Sequence, residues 1–218
     1  MVDAIILAAG SGTRLGTPKA LARVGDRTLV EIVVETCARS MVDEVVVVTG
    51  ARAEEVERLS AAAGRRHPDV PVRCVRNARW SRGRTGSLQI GWREVPVTAH
   101  VLVFPVDHPS VSLVTLDSLL GVFGYAAAQP RVVVPVVSCG PDGGPEGARR
   151  RGHPILLGAS VREEVLAMGE DEPLRDLVHR EVVLEVPVDD LGILLNVDVP
   201  ADLERAAELL SADGAGQD

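Results

Sequence analysis

Short apolar runs alternate with longer amphipathic segments along most of the 218-residue chain. The apolar runs are rich in Val, Ile and Leu and are nearly continuous, which is typical of strands buried on both faces of a sheet. Strands that alternate with helices indicate an α/β fold with a mostly parallel sheet covered on both sides. The predicted strands are Ala4–Ala8, Glu44–Thr49, Val72–Val75, Val101–Val106 and Arg131–Val137, and the predicted helices cover about residues 28–39, 53–64, 85–94 and 112–128.

The pattern changes in the last third of the chain. Glycine and proline are frequent over residues 138–152, which predicts a mobile loop with Arg149-Arg150-Arg151 on its solvated face. Small polar residues over 211–218 predict a disordered tail. Because no linker composition interrupts the rest, we expect residues 1–210 to form one domain. The remaining predicted elements are a short apolar run, two helices, a strand and a last helix that Pro200 opens, at about 154–157, 160–168, 173–179, 181–187 and 200–210.

Composition narrows the class of function. The net charge is −8 and aromatic residues make up 2% of the chain. Both argue against a nucleic-acid partner, which is bound by basic surfaces and stacking rings. The three cysteines form no C-x-x-C pair, so neither a zinc site nor a disulfide framework is indicated. No apolar run has the length of a membrane span and no signal peptide is evident. We therefore expect a cytoplasmic protein with no membrane or nucleic-acid partner.

A glycine-rich loop with a single ammonium group follows the first predicted strand. Gly10, Gly12 and Gly16 allow the backbone to approach a ligand closely, and N–H groups of such a loop can face phosphate oxygens. Lys19 ends the loop and is the single lysine among the 23 Lys and Arg residues. Arg14 adds a second charge. An ordinary surface lysine is the alternative, but a compact ammonium in this setting favours a phosphate contact.

Two familiar phosphate-binding templates do not fit this loop. A dinucleotide fingerprint needs G-x-G-x-x-G running into a helix, whereas here the third glycine comes one residue late and Pro18 interrupts the next segment. A P-loop needs Gly-Lys followed by Ser or Thr, whereas Lys19 lies three residues after Gly16 and is followed by Ala20. The loop is therefore a third kind of phosphate-binding loop, and its spacing disfavours a dehydrogenase.

Two aspartates far along the chain are candidate metal ligands. Asp107 ends an apolar strand, at the edge of the sheet where open α/β folds bind ligands. A carboxylate there is costly unless it is paired or bound to a cation. A polyphosphate bound at the glycine-rich loop would bring Mg²⁺, which takes one or two protein carboxylates, and Asp198 offers the second. A strand-end cap for Asp107 and an N-cap of the last helix for Asp198 are the structural alternatives.

Further motifs occur along the chain in a fixed order. They are Leu7-Ala8-Ala9-Gly10, Arg14-Leu15-Gly16 with Pro18-Lys19, Val48-Thr49-Gly50, Arg84-Thr85-Gly86-Ser87-Leu88, Phe104-Pro105-Val106-Asp107-His108-Pro109, Arg151-Gly152-His153-Pro154 and Asn196-Val197-Asp198-Val199-Pro200. Together they resemble the nucleotidyltransferases of the molybdenum-cofactor type over about residues 3–210. That family shares its fold with sugar-1-phosphate nucleotidyltransferases and the cytidylyltransferase of isoprenoid synthesis.

The resemblance implies a Rossmann-like three-layer α/β/α architecture of the nucleotide-diphospho-sugar transferase type. It also implies Mg²⁺-dependent transfer of a nucleotide from an NTP to a phosphorylated small molecule, a molybdopterin-type cofactor, with release of pyrophosphate. The Leu-Ala-Ala-Gly opening resembles the cytidylyltransferase branch, so CTP is expected in preference to GTP. The implied catalytic residues are Lys19, Arg14 and Asp107; the implied metal ligands are Asp107 and Asp198; and the implied nucleotide-binding residues are Leu7, Ala8, Ala9, Gly10, Ser11, Gly12, Thr13, Arg14, Lys19, Thr49, Asn77, Gly86, Ser87 and Asp107.

The acceptor side is less well specified by the motifs. The resemblance implies acceptor contacts for His153 and Arg175, although an isolated histidine is more often a surface or packing residue. Ordinary turn and helix-start roles remain alternatives for Asn77 and for Gly86 with Ser87. The chain departs from the family where Arg-Thr replaces a stretch containing Met and Ser, and where a Gly-Asp-x-Gly-Ala-Arg segment is missing. These departures leave the acceptor's identity open.

Two other classes of function also remain open. One is a sugar- or polyol-phosphate nucleotidyltransferase with the same fold, although such enzymes usually have longer chains with insertions. The other is a catalytically silent nucleotide-binding module that regulates a partner. The presence of both aspartates and the loop lysine disfavours the silent module. The sequence does not specify the oligomeric state.

Overall fold

A mixed sheet of eight strands forms the centre of the computed structural model, which describes residues 1–125, 130–139 and 147–214. A separate two-stranded hairpin follows the first loop. Within the described residues the strands are β1 (Val2–Ala8), β2 (Arg23–Val24), β3 (Arg27–Thr28), β4 (Glu44–Thr49), β5 (Val72–Arg76), β6 (His100–Pro105), β7 (Val132–Cys139), β8 (Ala148–Arg151), β9 (Ile155–Leu157) and β10 (Val183–Pro187).

The large sheet is mostly parallel. Its strand order is β10-β7-β9-β6-β1-β4-β5, and β8 pairs with β7 outside that path. β1 lies between β4 and β6 and is parallel to both, with Leu7 opposite Val48 and Pro105. β9 runs antiparallel between β6 and β7, and β8 is antiparallel to β7. The predicted mostly parallel mixed sheet is therefore confirmed.

Helices cover both faces of this sheet. Alternate residues of β1 point to opposite sides, as the strand's two-residue period requires: Ala4 and Ile6 pack into one apolar cluster, and Ile5 packs into the other with Trp92. The first cluster includes residues of α1, α2, α4 and α7, and the second includes residues of α3, α5 and α6, which confirms the three-layer α/β/α architecture. The helices are α1 (Leu29–Arg39), α2 (Ala53–Gly64), α3 (Arg84–Glu94), α4 (Leu113–Tyr125), α5 (Arg162–Ala167), α6 (Leu174–Arg180) and α7 (Pro200–Gly214).

The predicted mobile loop over 138–152 is corrected by the structure. β7 continues to Cys139, and β8 returns alongside it with Ser138 opposite Arg149. Glu185 on β10 pairs with the guanidiniums of Arg149 at 3.1 Å and Arg151 at 2.7 Å. Residues 148–151 thus form a strand, and the ion-pair partner of their arginines, Glu185, is distant in sequence. The part of the prediction that covers 140–146 lies outside the described residues.

The C-terminal helix is longer than predicted. α7 runs from Pro200 to Gly214, so the first four residues of the predicted tail are helical, and 215–218 lie outside the described residues. Ala206 on this helix is fully buried in the first cluster, which anchors it to the sheet. Among the residues that the structure describes, no helix is both long enough and apolar enough to cross a membrane.

Candidate active site

The loop after β1 is folded back on itself by a glycine in the left-handed region. Gly12 has φ of +61°, and a Cβ built on it would lie 2.0 Å from the carbonyl oxygen of Thr17. The N–H of Leu15 donates to the carbonyl of Gly12 at 3.0 Å. A 3-10 turn over Lys19–Leu21 then directs the lysine back towards the carboxyl edge of the sheet. A side chain at Gly12 would therefore separate the two halves of the loop.

Lys19 joins the two predicted metal carboxylates. Its Nζ donates to Asp107 Oδ2 at 2.5 Å and lies 2.6 Å from Asp198 Oδ1. The amide oxygen of Asn196 accepts from the same Nζ at 3.3 Å. Arg14 Nη2 donates to Asp198 Oδ1 at 2.8 Å. The structure thus brings the loop cations and both aspartates together from opposite ends of the chain.

Asp107 is an ionised group in a buried setting. Its side chain is 5% exposed, and burial by itself opposes ionisation. The nearby His108, Lys19 and Arg84 outweigh that burial and lower the pKa of Asp107 below its ordinary value. Burial lowers the pKa of His108 to about 4, so at neutral pH the imidazole is uncharged. Lys19 and Arg84, whose Nη2 lies 3.6 Å from Asp107 Oδ2, are then the cations that the carboxylate faces.

This cluster has the oxygen ligands that a divalent cation requires. Three oxygens, from Asp107, Asp198 and Asn196, surround one positive charge, the ammonium of Lys19. Asp107 Oδ1 is buried and has no hydrogen-bond partner. Carboxylate and amide oxygens are what Mg²⁺ prefers. Within the described residues, no group of three or more His, Cys, Asp and Glu side chains is placed to hold a metal. The set therefore fits a cation whose remaining ligands are phosphate and water.

A cavity of about 210 Å³ opens beside this cluster, and we call it the nucleotide cavity. Most of the predicted loop residues line it, together with both aspartates. It therefore joins a backbone cradle to a set of full charges, which is the arrangement that a polyphosphate requires. The residues lining it are Leu7, Ala9, Gly10, Gly12, Thr13, Arg14, Lys19, Trp80, Gly83, Arg84, Ser87, Pro105, Val106, Asp107 and Asp198.

Five predicted nucleotide contacts are not among the residues that line the cavity: Ala8, Ser11, Thr49, Asn77 and Gly86. Ala8 and Thr49 are 1% and 0% exposed, and Thr49 donates to Glu57 at 2.9 Å. Ser11 is not among the lining residues. The backbone N–H of Gly86 donates to the carbonyl of Glu170 at 3.1 Å, so in this structure that N–H already has a partner within the chain. The segment around residue 170 packs against the start of α3, which the sequence did not indicate.

Asn77 organises a turn and does not line the cavity. It is 2% exposed, and its Nδ2 donates to Ser87 Oγ at 3.0 Å. Its Oδ1 accepts from the N–H of Arg79 at 2.8 Å. The turn role, one of the two alternatives for this residue, is therefore the one that its contacts support. Ser87 does reach the cavity wall and is held there by Asn77.

A second cavity of about 600 Å³ adjoins the first, and we call it the acceptor cavity. It contains His153 and Arg175, the two predicted acceptor contacts. Leu7, Arg84 and Pro105 line both cavities, so the two spaces share a wall. The other residues lining it are Thr85, Leu88, Val103, Val134, Arg151, Gly152, Ile155, Asp171, Glu172, Pro173, Leu174, Val178 and His179.

A pair of histidines lies close to Asp107. The rings of His108 and His153 are 4.7 Å apart between centroids, and His108 Nε2 is 3.8 Å from Asp107 Oδ1. Burial lowers the pKa of His153 as well. Its backbone N–H donates to the carbonyl of Ile193 at 3.0 Å. The Nδ1 atoms of both rings are buried without a partner, so two uncharged imidazoles connect the acceptor cavity to the charged cluster.

Sequence analysis missed several lining or supporting residues. Asn196 lies within the closing motif, and its position two residues before Asp198 was an available signal. Arg84 belongs to a quoted motif, where it departs from the family, but no role was predicted for it. Nothing in the sequence indicated that it lines two cavities. Trp80 and Gly83 follow the third predicted strand, Val72–Val75, and both line the nucleotide cavity. An isolated aromatic residue after such a strand could have indicated a ligand contact.

Comparisons with known proteins agree with this geometry. A family model described as "MobA-like NTP transferase domain" matches residues 4–186. Nicotine blue oxidoreductase of Paenarthrobacter nicotinovorans is 36% identical over 174 residues, which are 75% of this chain and 74% of that protein. The bifunctional IPC transferase and DIPP synthase of Rubrobacter xylanophilus is 42% identical over 111 residues, which are 49% of this chain and 24% of that protein.

A solved structure matches nearly the whole chain. It is a nucleotidyl transferase from Methanothermobacter thermautotroptrophicus, with a TM-score of 0.73 and 25% identity over 97% of this chain and 98% of that chain. Nucleotidyltransferases of the matched family generally use a nucleoside triphosphate, a phosphorylated acceptor and a divalent metal. The chain therefore belongs to the MobA-like NTP transferase family and is a nucleotidyltransferase.

Proposed function

We propose that this protein transfers CMP from CTP to a phosphorylated small molecule, a molybdopterin-type cofactor, in an Mg²⁺-dependent reaction that releases pyrophosphate. The observation that carries the proposal is the position of Lys19, 2.5 Å from Asp107 and 2.6 Å from Asp198 in the nucleotide cavity. Arg84, which lines both cavities, gives the two substrates a common charged neighbour.

The chemistry is a substitution at phosphorus. An oxygen of the acceptor phosphate attacks the α-phosphorus of CTP and forms a new P–O bond. The bond from that phosphorus to the oxygen bridging the β-phosphate breaks, and pyrophosphate leaves with the electron pair. Such a reaction depends on positioning and on charge stabilisation more than on covalent chemistry by the protein.

Each charged residue has a role in this scheme. Lys19 and Arg14 bind the triphosphate and stabilise the charge that develops on pyrophosphate. The backbone of Gly10 and Gly12 forms the cradle beside them. Arg84 orients the acceptor phosphate against the α-phosphate. Asp107 and Asp198 would hold Mg²⁺, with Asn196 beside them. When bound, the ion would act as a Lewis acid and neutralise phosphate charge.

The preference for CTP rests on the first loop. Ala9 lines the nucleotide cavity and belongs to the Leu-Ala-Ala-Gly segment that resembles cytidylyltransferases. A sugar- or polyol-phosphate acceptor is the alternative, and the partial match to an IPC transferase favours it. A silent regulatory module would be expected to lose a metal carboxylate or the loop lysine, and this chain has all three.

An oxidoreductase is a second candidate. The observation in its favour is the name of the relative that is 36% identical over three quarters of this chain. Under this alternative a nicotinamide dinucleotide would span the two cavities. The glycine spacing of the first loop, which lacks the dinucleotide fingerprint, disfavours it.

Nucleotide-dependent thermal shift distinguishes these candidates. A ligand that binds the folded state raises the Tm by mass action. We expect CTP with Mg²⁺ to raise the Tm more than GTP, ATP or UTP, and EDTA to remove most of the shift. Adding molybdopterin cofactor to CTP should then release pyrophosphate. A shift with NADH and none with any triphosphate would overturn the proposal in favour of the oxidoreductase.

We also propose that residues 1–210 work as one domain in the cytoplasm. The residues lining the two cavities range from Leu7 to Asp198, which supports a single functional unit. Cys37 and Cys74 are free thiols, and nucleoside triphosphates are cytoplasmic metabolites, which supports the location. A fragment ending before Asn196 should bind no triphosphate, and binding by such a fragment would contradict the single unit.

A further inference from the structure

The two ends of the nucleotide cavity differ in charge. Arg14, Lys19, Asp107 and Asp198 form one end, joined by ion pairs. Trp80 lies at a different point of the wall, where the ends of β1 and β4 meet. A Cβ built on Gly50 would lie 2.7 Å from Trp80 Cβ and 2.6 Å from the carbonyl oxygen of Ala9. Polyphosphate therefore suits the first end, and an uncharged, flat group suits the second.

The backbone around Trp80 is firmly held. Asn77 donates its N–H to the carbonyl of Thr49 at 2.8 Å, and its own carbonyl accepts from the N–H of Trp80 at 3.3 Å. The side chain of Asn77 adds bonds to Arg79 and Ser87. A 3-10 turn over Trp80–Arg82 follows. The backbone that carries the indole is thus held by a buried amide, and the Cβ and Cγ of Trp80 lie close to Gly50.

An aromatic ring in this position is notable because the chain contains so few. The five aromatic residues are two Trp, one Tyr and two Phe. Trp92 and Phe104 are both 0% exposed in the core. Among the aromatic side chains whose surroundings the structure describes, Trp80 is the one that lines the nucleotide cavity and is half-buried. Core packing therefore accounts for Trp92 and Phe104 but not for Trp80.

We propose that the indole of Trp80 is the stacking platform for the nucleobase. This inference rests on the proposed function and adds the residue that binds the base. Stacking on an aromatic face tolerates every base, so Trp80 supplies affinity for all nucleoside triphosphates, and the choice among bases is made by other residues of the cavity. The phosphates remain bound at the Lys19 end, independent of Trp80.

Calorimetric titration of three ligands tests this division. The ligands are CTP, GTP and inorganic tripolyphosphate, each with Mg²⁺, and the variants are Trp80→Ala, Trp80→Phe and the control Ser81→Ala. Ser81 is an exposed neighbour in the same turn and does not line the cavity. Trp80→Ala should weaken both nucleotides by about 5- to 100-fold. Its affinity for tripolyphosphate should change by less than about twofold, and Ser81→Ala should behave as wild type.

Tryptophan fluorescence supplies a second readout on the unaltered protein. Trp92 is fully buried, so a change in acrylamide quenching on addition of CTP reports Trp80. We expect CTP to protect the wild-type emission from acrylamide and to leave the emission of Trp80→Phe unchanged. This arm decides the question even if Trp80→Ala does not fold.

The outcomes separate the inference from the proposed function. If wild type and Trp80→Ala bind CTP equally, or if CTP gives no protection from acrylamide, the stacking role is wrong and the nucleotidyltransferase proposal stands. Equal weakening of tripolyphosphate would show a structural role for the indole and overturn the inference. If wild type binds no nucleotide at all, both proposals fail together.

Discussion

The nucleotide cavity and the acceptor cavity share Leu7, Arg84 and Pro105 but are built differently. The nucleotide cavity is formed largely by segments that follow parallel strands β1, β5 and β6, and its central ion pairs are 2.5 to 2.8 Å long. The acceptor cavity, about 600 Å³ against 210 Å³, is lined by residues of helices α3 and α6, by strand residues of β6, β7 and β9, and by the segment from the end of β8 to His153.

The two cavities also differ in the burial of one cation. In the nucleotide cavity Lys19 is 15% exposed and pairs with two carboxylates, whereas Arg14 and Arg84 there are 66% and 74% exposed. In the acceptor cavity Arg175 is 77% exposed, and its nearest carboxylate, on Asp176, is 3.8 Å away. Compensated buried charges are held in one geometry, whereas exposed ones adapt at little cost. We therefore expect Lys19 and its two carboxylates to keep one geometry, and the guanidinium of Arg175 to adapt to the acceptor.

The largest expected effect comes from Lys19→Ala. Removing the ammonium deletes a contact to the charge that develops in the transition state, so kcat/KM for CTP should fall by about 100- to 1,000-fold. Pyrophosphate release with CTP and molybdopterin cofactor measures it, and circular dichroism checks the fold. Arg23→Ala, in an exposed residue of the same segment that lines neither cavity, is the control. A defect confined to the acceptor KM would contradict the assignment of Lys19 to the nucleotide.

His153→Ala should affect the other cavity. The half-buried imidazole lines the acceptor cavity, and losing one hydrogen bond to the acceptor should raise the KM for the acceptor by about tenfold. Affinity for CTP should stay unchanged. Steady-state kinetics with varied acceptor, together with CTP titration, separates the two effects, and His67→Ala, outside both cavities, is the control. Weaker CTP binding in His153→Ala would mean that the two sites are not separable.

Asp3, at the opposite end of β1, should change stability without changing either cavity. Burial, Glu44 and Asp43 raise its pKa to about 6, with opposing effects from the N-terminal ammonium and Arg73. The carboxyl therefore binds its proton more tightly in the folded state. Its contribution to stability is complete below pH 3.8 and is lost as the pH rises through about 6.

The variant Asp3→Asn has no carboxyl to ionise at this position, so it avoids the loss of stability that the wild type undergoes as the pH rises. At pH 7 it should raise the free energy of unfolding by about 1 to 2 kcal/mol, and the pH dependence between 4 and 6 should become flatter. Urea unfolding at several pH values measures both, with Asp26→Asn as an exposed control. An unaltered kcat/KM for CTP in Asp3→Asn would confirm that Asp3 affects the stability of the fold and not the chemistry of the site. A destabilised Asp3→Asn would show that the carboxylate has a stabilising partner.

The smallest effect is expected for Arg175→Met. An exposed guanidinium in high dielectric contributes little, so the acceptor KM should rise by about two- to fivefold and the rise should shrink at high salt. Kinetics at two ionic strengths measure it, and Arg180→Met on the same helix is the control. A loss as large as that for Lys19→Ala would remove the distinction between fixed and adaptable charges.

The sequence predicted the parts of the molecule that are encoded locally. The strands β1, β4 and β6 are continuous apolar runs, and their positions were correctly predicted because burial on both faces leaves that signal. The loop from Leu7 to Lys19 carried its own glycines and charges, so its cavity was foreseen. The position of Asp107 beside the first loop was correctly predicted because β1 and β6 are parallel neighbours, whose carboxyl ends meet at one edge of the sheet. Asp198 lies between a 3-10 turn and α7, and its expected place beside Lys19 came from the resemblance to the family.

The sequence failed where contacts join distant segments. β8 was read as loop because its sequence, Ala-Arg-Arg-Arg, has no apolar pattern, and because the ion pairs of Arg149 and Arg151 with Glu185 join segments that are distant in sequence. The hydrogen bond from the N–H of Gly86 to Glu170 was not predicted, because the segment around residue 170 is distant from α3 in sequence. Arg84 was missed for the same reason, since lining a cavity is a property of tertiary position. Trp80 was overlooked although it follows a predicted strand.

The solitary lysine makes this protein unusually easy to monitor by chemistry. Apart from the chain's own terminal amine, Lys19 Nζ is the sole primary amine in the 218-residue sequence. An amine-selective acylating reagent thus has two groups to label, and mass spectrometry of the intact chain would count the labels. Because carboxylates enclose this amine, its labelling rate would report, at one atom, when the cleft fills or empties.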